Sequence, residues 1–327
     1  MLQIISLGEA LIDFVSLKTG VDVKDAPGFL KAAGGAPANV AAALGRLGVH
    51  VGFIGKVGDD PFGHFLKETL ANNGVDTSQM LFEKNARTAL AFVSLRPDGE
   101  RSFSFYRHPS ADMFLEPKEI DEDYISRARI FHFGSITLIS EPSRSATLKA
   151  IEYASRHGLV ISYDPNLRLN LWESPEQARR EAKKALHLAH IVKVNERELK
   201  FLTDTEDLLE GTKRLQQAGP LMVVVTLGKE GCFFCNKAGN LKVDGFCIDA
   251  IDTTGAGDAF VAALLFGLLN CLQEAEGLEQ IPLEKIRMIL QLANKAGAIT
   301  ATRKGAVPAL PTLAQLKDDT FAKSPRR

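Results

Sequence analysis

The densest chemistry in the chain lies in one run, Asp252-Thr253-Thr254-Gly255-Ala256-Gly257-Asp258, followed at once by AFVAALLFGLL. That second stretch is apolar nearly all round, so the helix it predicts is buried. Its N-terminus then opens inside the protein or at the floor of a cleft. Glycines there let backbone N–H groups converge, and the helix dipole adds positive potential. Gly255, Ala256 and Gly257 together read as an anion hole. Asp258 puts a carboxylate in the first helical turn. An acid at that position can serve the helix dipole and nothing else. The glycine run before it and the buried helix after it favour chemistry. A carboxylate beside an anion hole suits one kind of reaction. The acid takes the proton of an attacking hydroxyl, and the hole stabilises charge on a transferring phosphoryl group.

Gly34, Gly35 and Asn39 form a second cluster, ahead of the small-residue stretch VAAALGRLG. Adjacent glycines admit a ligand close to the backbone, and Asn39 offers a donor and an acceptor to a hydroxyl. Taken alone, the segment reads equally as a plain turn before a helix. Asp13 sits in the alternating run ALIDFV. It gains meaning only if it shares a cleft with Gly35 and Asn39. Three other polar groups close apolar strands: Asp164 to Arg168, Asn195 to Glu198, and Thr226 to Gly231. Asn195 with Glu198 has the spacing of a capping box. Glu198 also reads as a carboxylate holding Mg²⁺ through water. Thr226, Gly228 and Gly231 read as a simple turn or as a backbone cradle for a nucleotide. The three matter together, because ligands of open α/β sheets bind at the carboxyl ends of strands.

Other nucleotide and metal motifs are missing. There is no P-loop glycine–lysine motif and no His-Arg-Asp catalytic loop. GAGDAF puts Phe260 where a dinucleotide fingerprint needs its third glycine, and far from the first strand, so a dehydrogenase is disfavoured. The seven histidines form no metal-ligand motif.

These groups need a scaffold, and the apolar pattern supplies one. Strand-like runs fall at 3–7, 49–55, 128–134, 159–164, 190–195 and 221–226. Helical patterns fall near 38–48, 61–73, 142–157, 175–189, 206–218, 257–271 and 283–302. The alternation predicts βαβ units around a largely parallel sheet covered on both faces. Residues 88–108 break the rhythm. They predict a β-hairpin turning at Pro97 to Gly99, with Phe103 and Phe105 on one side. The run 10–17 can join it. The reading is a single domain over 1–316, with a small β-sheet lid from about 10–33 and 86–112. A polar tail, 317–327, is expected to fray.

Composition agrees with a globular protein. Of 327 residues, 45% are hydrophobic and 24% charged, enough for a core. Lys plus Arg total 39 and Asp plus Glu 40, for a net charge of -1, which gives no field for nucleic acid or an anionic membrane. The longest apolar run, Ala259 to Leu269, falls short of a membrane span, and the N-terminus lacks a basic signal region. Cys232 and Cys235 sit three apart in a strand-like run, on opposite faces, and read as ordinary buried cysteines. A cytoplasmic location follows as the default.

Together these residues resemble the ribokinase-like, pfkB-type carbohydrate kinase family. GGAPANVAAALGRLG with GKVGDDPFG is similar to its N-terminal signature, and DTTGAGDAFVAALL to its C-terminal one. The resemblance runs from GEALIDF (8–14) to TRKGAVPALP (302–311). Within the family, GEALIDF, ARTALAFVSL, DGERSFSFYRHPSADM and DPNLRLNLW look like fructokinase segments, notably of the plant type. The resemblance implies a three-layer α/β/α body with a β-lid, ATP as donor and the 6-hydroxyl of fructose as acceptor. It implies Asp258 as base over the Gly255–Ala256–Gly257 anion hole. Sugar positions are Asp13, Gly34, Gly35 and Asn39, with Ala91, Phe105 and Arg107 from the lid, and Arg168 toward substrate or phosphate. Nucleotide positions are Lys193, Asn195, Thr226, Gly228, Gly231 and Asn294, with Glu198 toward Mg²⁺. Asp252, Thr254, Thr300, Arg303, Gly305 and Ala309 fall where many members hold K⁺, Ala309 standing in place of a serine. A homodimer through the lid is a further expectation. Two other readings stand beside this one. One is a family kinase for 2-keto-3-deoxygluconate, ribose or a nucleoside. The other is a sugar or nucleotide sensor without catalysis, against which an intact Asp258 argues.

Overall fold

Ile4–Leu7 is fully buried and forms an interior strand of the main sheet. The computed structural model describes residues 2–95, 101–272, 277–318 and 320–321. From one edge the strands run Gly239–Val243, Cys232–Asn236, Met222–Thr226, Ile191–Asn195, Val160–Asp164, Ile130–Gly134, Ile4–Leu7, Val51–Gly58 and Val75–Asp76. Met80–Glu83 pairs with the end of Val51–Gly58. Pairings from Met222–Thr226 to Val75–Asp76 are parallel. The hairpin Cys232–Asn236 and Gly239–Val243 closes the edge antiparallel.

Side chains alternate between two cores, as the period of two requires. Val224 points to one and Val223 and Val225 to the other. Cys232 and Cys235 likewise fall in different cores, and both are free thiols. The first core is capped by helices Ala36–Arg46, Ala256–Cys271 and Leu283–Ala301, through residues such as Leu44, Leu264 and Leu290. The second is capped by Ser143–Arg156, Pro175–Leu186 and Glu196–Thr203, through Ala150, Ala182 and Leu199. Helix Ala256–Cys271 is buried along nearly its whole length. Each of Leu264, Leu265, Leu268 and Leu269 contributes roughly 1.5–3 kcal/mol on burial.

A second sheet has the order Phe29–Gly34, Leu11–Ser16, Leu90–Leu95, Arg101–Tyr106. Its outer pairings are antiparallel, but Leu11–Ser16 lies parallel to Leu90–Leu95. Residues 10–17 do join the hairpin. The strand Phe29–Gly34 adds a fourth member that periodicity did not single out, because FLKAAG alternates poorly. The turn expected at Pro97 to Gly99 lies outside the described residues. So does most of the tail. Its start is tied down rather than frayed, since the Lys295 Nζ donates to the carbonyls of Leu316 and Asp318 at 2.8 and 2.6 Å.

Candidate active site

Parallel strands all end at one edge, and the polar groups that follow them gather there. Glu9 follows Ile4–Leu7, Asn166 and Arg168 follow Val160–Asp164, and Lys193, Asn195 and Thr226 close the next two strands. With the second sheet above and the start of helix Ala256–Cys271 below, they line one cleft of about 850 Å³. Asp13, Gly35 and Asn39 line its wall together, which meets the condition set for Asp13.

Asp258 stands in the first turn of helix Ala256–Cys271, whose N-cap, Gly255, has a φ of 78°. A side chain at Gly255 would be strained there and would press on Ala306 Cβ at 2.9 Å. First-turn N–H groups lack carbonyls above them, so they are available to an anion. Ala256 N–H is engaged with the Thr253 carbonyl at 3.2 Å. Asn39 Nδ2 donates to Asp258 Oδ2 at 2.7 Å. Burial pushes the Asp258 carboxyl up to about 6. The Asn39 hydrogen bond opposes this, the charge of Asp164 adds to it, and Lys193 and Arg168 oppose it.

The sugar end of the cleft, as read from sequence, is held by local geometry. Gly35 has a φ of 100°, and a side chain there would run into the Glu9 carbonyl. Gly34 leaves room for the Asp13 carboxylate without lining the cleft itself. Phe105 does line it, stacked on Phe103 with centroids 5.8 Å apart. The Arg168 guanidinium lies 5.5 Å over the Phe103 ring and bridges the two sheets. Ala91 and Arg107 are not brought to the cleft. Ala91 is covered in a small apolar cluster with Leu11, Ala89 and Phe105. Arg107 is drawn inward to Asp112 at 2.7 Å and to the Ile136 carbonyl at 3.3 Å.

Lys193, Asn195, Thr226, Gly228, Gly231 and Asn294 line the other end. Lys193 Nζ meets Asp164 Oδ2 at 3.1 Å. Burial pulls the ammonium down, but Asp164, Glu198 and Asp258 together hold it above its ordinary value. Asn294 Nδ2 donates to the carbonyls of Val243 and Asp244. Glu198 does not line the cleft. It completes the capping box, with one carboxylate oxygen accepting Asn195 N–H at 2.9 Å and the other Leu167 N–H at 2.8 Å. Burial pushes its carboxyl up, and Lys193 works against this. Among the described residues no cluster of three His, Cys, Asp or Glu could hold a metal.

Of the residues read as a cation site, Asp252 and Gly305 meet directly. Asp252 accepts Thr254 N–H, the Thr254 hydroxyl and Gly305 N–H, at 2.9, 2.6 and 2.9 Å. The Thr300 hydroxyl turns back to the Ala296 carbonyl, and Arg303 N–H bonds the Thr300 carbonyl. Ala309 is buried and brings no side-chain oxygen.

Glu9, Phe103 and Asn166 also line the cleft and were not singled out as site residues. Glu9 had a usable signal, since it follows a strand end. Its carboxylate accepts Ala36 N–H at 3.0 Å, and burial pushes it up to about 7. Phe103 shares a face with Phe105 by simple alternation.

The fold and cleft define a class, a ribokinase-like α/β protein with a small sheet set over the carboxyl edge of a parallel one. The chain belongs to the pfkB family carbohydrate kinases, whose pattern it matches over residues 1–313. It is 50% identical over 317 residues to a protein named probable fructokinase-4 from Arabidopsis thaliana, covering 96% of this chain and 95% of that one. A fructokinase from Xylella fastidiosa with bound ATP superposes with a TM-score of 0.86 at 35% identity, covering 96% of each chain. A fructokinase from Vibrio cholerae O395, bound to fructose, ADP and calcium ion, gives 0.85 at 37% identity, covering 98% of this chain and 99% of that one. A double mutant of that enzyme, with fructose, ADP and potassium ion, gives 0.86 at 37%, covering 98% of each.

Proposed function

We propose that this chain is an ATP-dependent fructokinase that moves the γ-phosphoryl of ATP to the 6-hydroxyl of fructose. The observation that carries this reading is Asp258, held by Asn39 in the first turn of a buried helix and open to the cleft. A carboxylate near pH 6 is deprotonated at neutral pH and basic enough to accept a hydroxyl proton. With the Ala256 N–H taken by the Thr253 carbonyl, the N–H groups of Gly255 and Gly257 are the ones that stabilise the phosphoryl charge. Asp13, Gly35 and Asn39 meet the sugar hydroxyls, with Gly34 giving Asp13 its room. Phe105 and Arg168 close over the sugar, and Ala91 and Arg107 back this wall from behind. Lys193, Asn195, Thr226, Gly228, Gly231 and Asn294 take the nucleotide.

Mg²⁺ enters with the ATP phosphates, as suits an ion that keeps its waters and few protein ligands. Glu198 reaches it through water at most, because it does not line the cleft itself. K⁺ suits the carbonyl-rich loops that Asp252 ties together, and ordering of the anion-hole loop is what it would supply. Residues 1–316 act as one kinase domain, with the second sheet as its lid. The lid face turned from the cleft carries Phe29, Phe92 and Tyr106, with Phe29 and Tyr106 centroids 5.1 and 5.4 Å from Phe92, and Tyr106 is 64% exposed; Phe14, 5.0 Å from Phe92, is partly covered by Phe62. A second copy of the chain covers that face. The free thiols and balanced charge suit the cytoplasm, and no helix among the described residues is long and apolar enough to cross a membrane.

A coupled assay of ADP release over a sugar panel tests the reading. Fructose is expected to exceed ribose and glucose in kcat/KM, because a site built on hydrogen bonds rejects sugars that leave them unpaired. Equal or better turnover of ribose or 2-keto-3-deoxygluconate would transfer the assignment to another family substrate. Nucleotide binding with no ADP release on any sugar would leave a sensor.

A further inference from the structure

Asp164 is buried at the carboxyl end of Val160–Asp164 and does not line the cleft. Its two oxygens nevertheless serve groups that do. Oδ2 accepts the Lys193 ammonium at 3.1 Å. Oδ1 accepts Asn166 N–H at 3.2 Å. Asn166 has a φ of 41°, an uncommon conformation for a residue with a side chain, and it starts the turn that brings Arg168 over Phe103. Lys193 Nζ lies against the anion hole, since a Cβ built on Gly257 would stand 3.3 Å from it. One buried carboxylate thus holds the Lys193 ammonium beside the helix N-terminus and pins the first backbone N–H of the turn that leads to Arg168.

We infer that Asp164 is a positioning residue for phosphoryl transfer, setting Lys193 against the first turn of helix Ala256–Cys271 and folding the turn that delivers Arg168. The inference rests on the phosphoryl-transfer reading above but not on the identity of the sugar. Its physics is direct. A lone lysine held between Glu198 and Asp258 would swing toward either carboxylate. Asp164 fixes it between them, and a charge-assisted bond in a low-dielectric site is strong enough to do so. The groups facing Asp258 are Asn39 from Ala36–Arg46, Lys193 from Ile191–Asn195, and Asp164 and Arg168 from Val160–Asp164 and the turn after it. Asp13 lines the same cleft, Glu198 faces Lys193, and His132 faces Asp164 and Lys193 from Ile130–Gly134.

Asp164→Asn separates the two tasks. Its amide oxygen can still accept Asn166 N–H, but it no longer carries the charge that holds Lys193. The wild type is first run over the sugar panel, so that a wrong sugar is found before the variant is read. On whichever sugar it uses, Asp164→Asn is expected to lower kcat by about 10- to 100-fold, the effect of misplacing a charge by about an ångström. The KM for sugar should move little. The acid limb of kcat/KM should shift to lower pH, since a negative neighbour of Asp258 has been removed. Asp164→Glu should restore the limb and part of the rate. A variant within twofold of wild type, with an unmoved limb, overturns the inference. So does a rate loss that tracks a lower Tm while the limb stays in place and Glu gives no rescue. If the wild type turns over no sugar, MgATP titration decides: weaker binding by Asp164→Asn supports the positioning of Lys193, and equal binding overturns it.

Discussion

Asn39 Nδ2 and Asp258 Oδ2 lie 2.7 Å apart, although 219 residues separate them in the chain. The bond joins the first turns of two helices that both pack on one face of the sheet. It leaves the second Asp258 oxygen for another proton. It also fixes the direction in which the carboxylate faces the cleft. A site made this way is rigid, because each partner is set by a helix rather than by a loop.

Replacing Asp258 by Asn keeps its size and its place at the helix terminus but removes the base. kcat should fall at least about 100-fold, with a modest change in the KM for ATP. If Asp258 served only the helix dipole, the variant would lose about 0.3–1 kcal/mol of stability and keep its turnover. Steady-state kinetics beside thermal unfolding separate the two, and a slightly less stable but fully active variant would end the proposed mechanism.

The pH profile carries a second expectation. With the Asp258 carboxyl pushed up to about 6, kcat/KM should fall as pH drops through that value. An ordinary aspartate would sustain activity down to about pH 4. Because Glu9 also titrates near neutrality, the measurement belongs in both wild type and Glu9→Gln. A limb near 6 that disappears in Glu9→Gln would reassign it to Glu9.

Glu9 makes its own prediction for stability. Its folded value is about 7 and its ordinary value 4.5. Between those pH values the folded chain keeps a proton that the unfolded chain has lost. Its contribution therefore falls as pH rises through the window and is level outside it. Glu9→Gln still accepts Ala36 N–H through its amide oxygen and never ionises. Relative to wild type it should gain stability from pH 4.5 to 7, by up to about 3 kcal/mol. Denaturant melts across pH check this, and a constant difference would mean that Glu9 titrates normally.

A cation between the loops of Asp252 and Gly305 would steady the anion hole without touching substrate. Exchanging K⁺ for a bulky organic cation at constant ionic strength should lower kcat and leave the KM for sugar nearly unchanged. An unaltered kcat would mean that the three bonds to Asp252 order the loop unaided.

Much of this protein is legible in its sequence. The six parallel strand runs were readable because they are buried on both faces and stay apolar without alternation, as in MVVVT. The placement of Cys232 and Cys235 in different cores followed from the period of two alone. Helix Ala256–Cys271 declared itself by being apolar all round after a glycine run. Capping by Asn195 and Glu198 was local, so spacing sufficed.

What the chain order could not reveal was the meeting of distant parts. Ala91 and Arg107 carry types suited to a sugar wall, yet Phe105 and Leu11 cover the one and Asp112 captures the other. Phe29–Gly34 became a strand only because Leu11–Ser16 lay open beside it. Periodicity and spacing are short-range properties of sequence, and they determined the elements and the polar strand ends. Burial and opposite charge act between elements after they pack. With hydrogen bonding, they decided that Asp258 faces Asn39, that Lys193 is held by Asp164, and that Glu9 lies buried in the cleft wall.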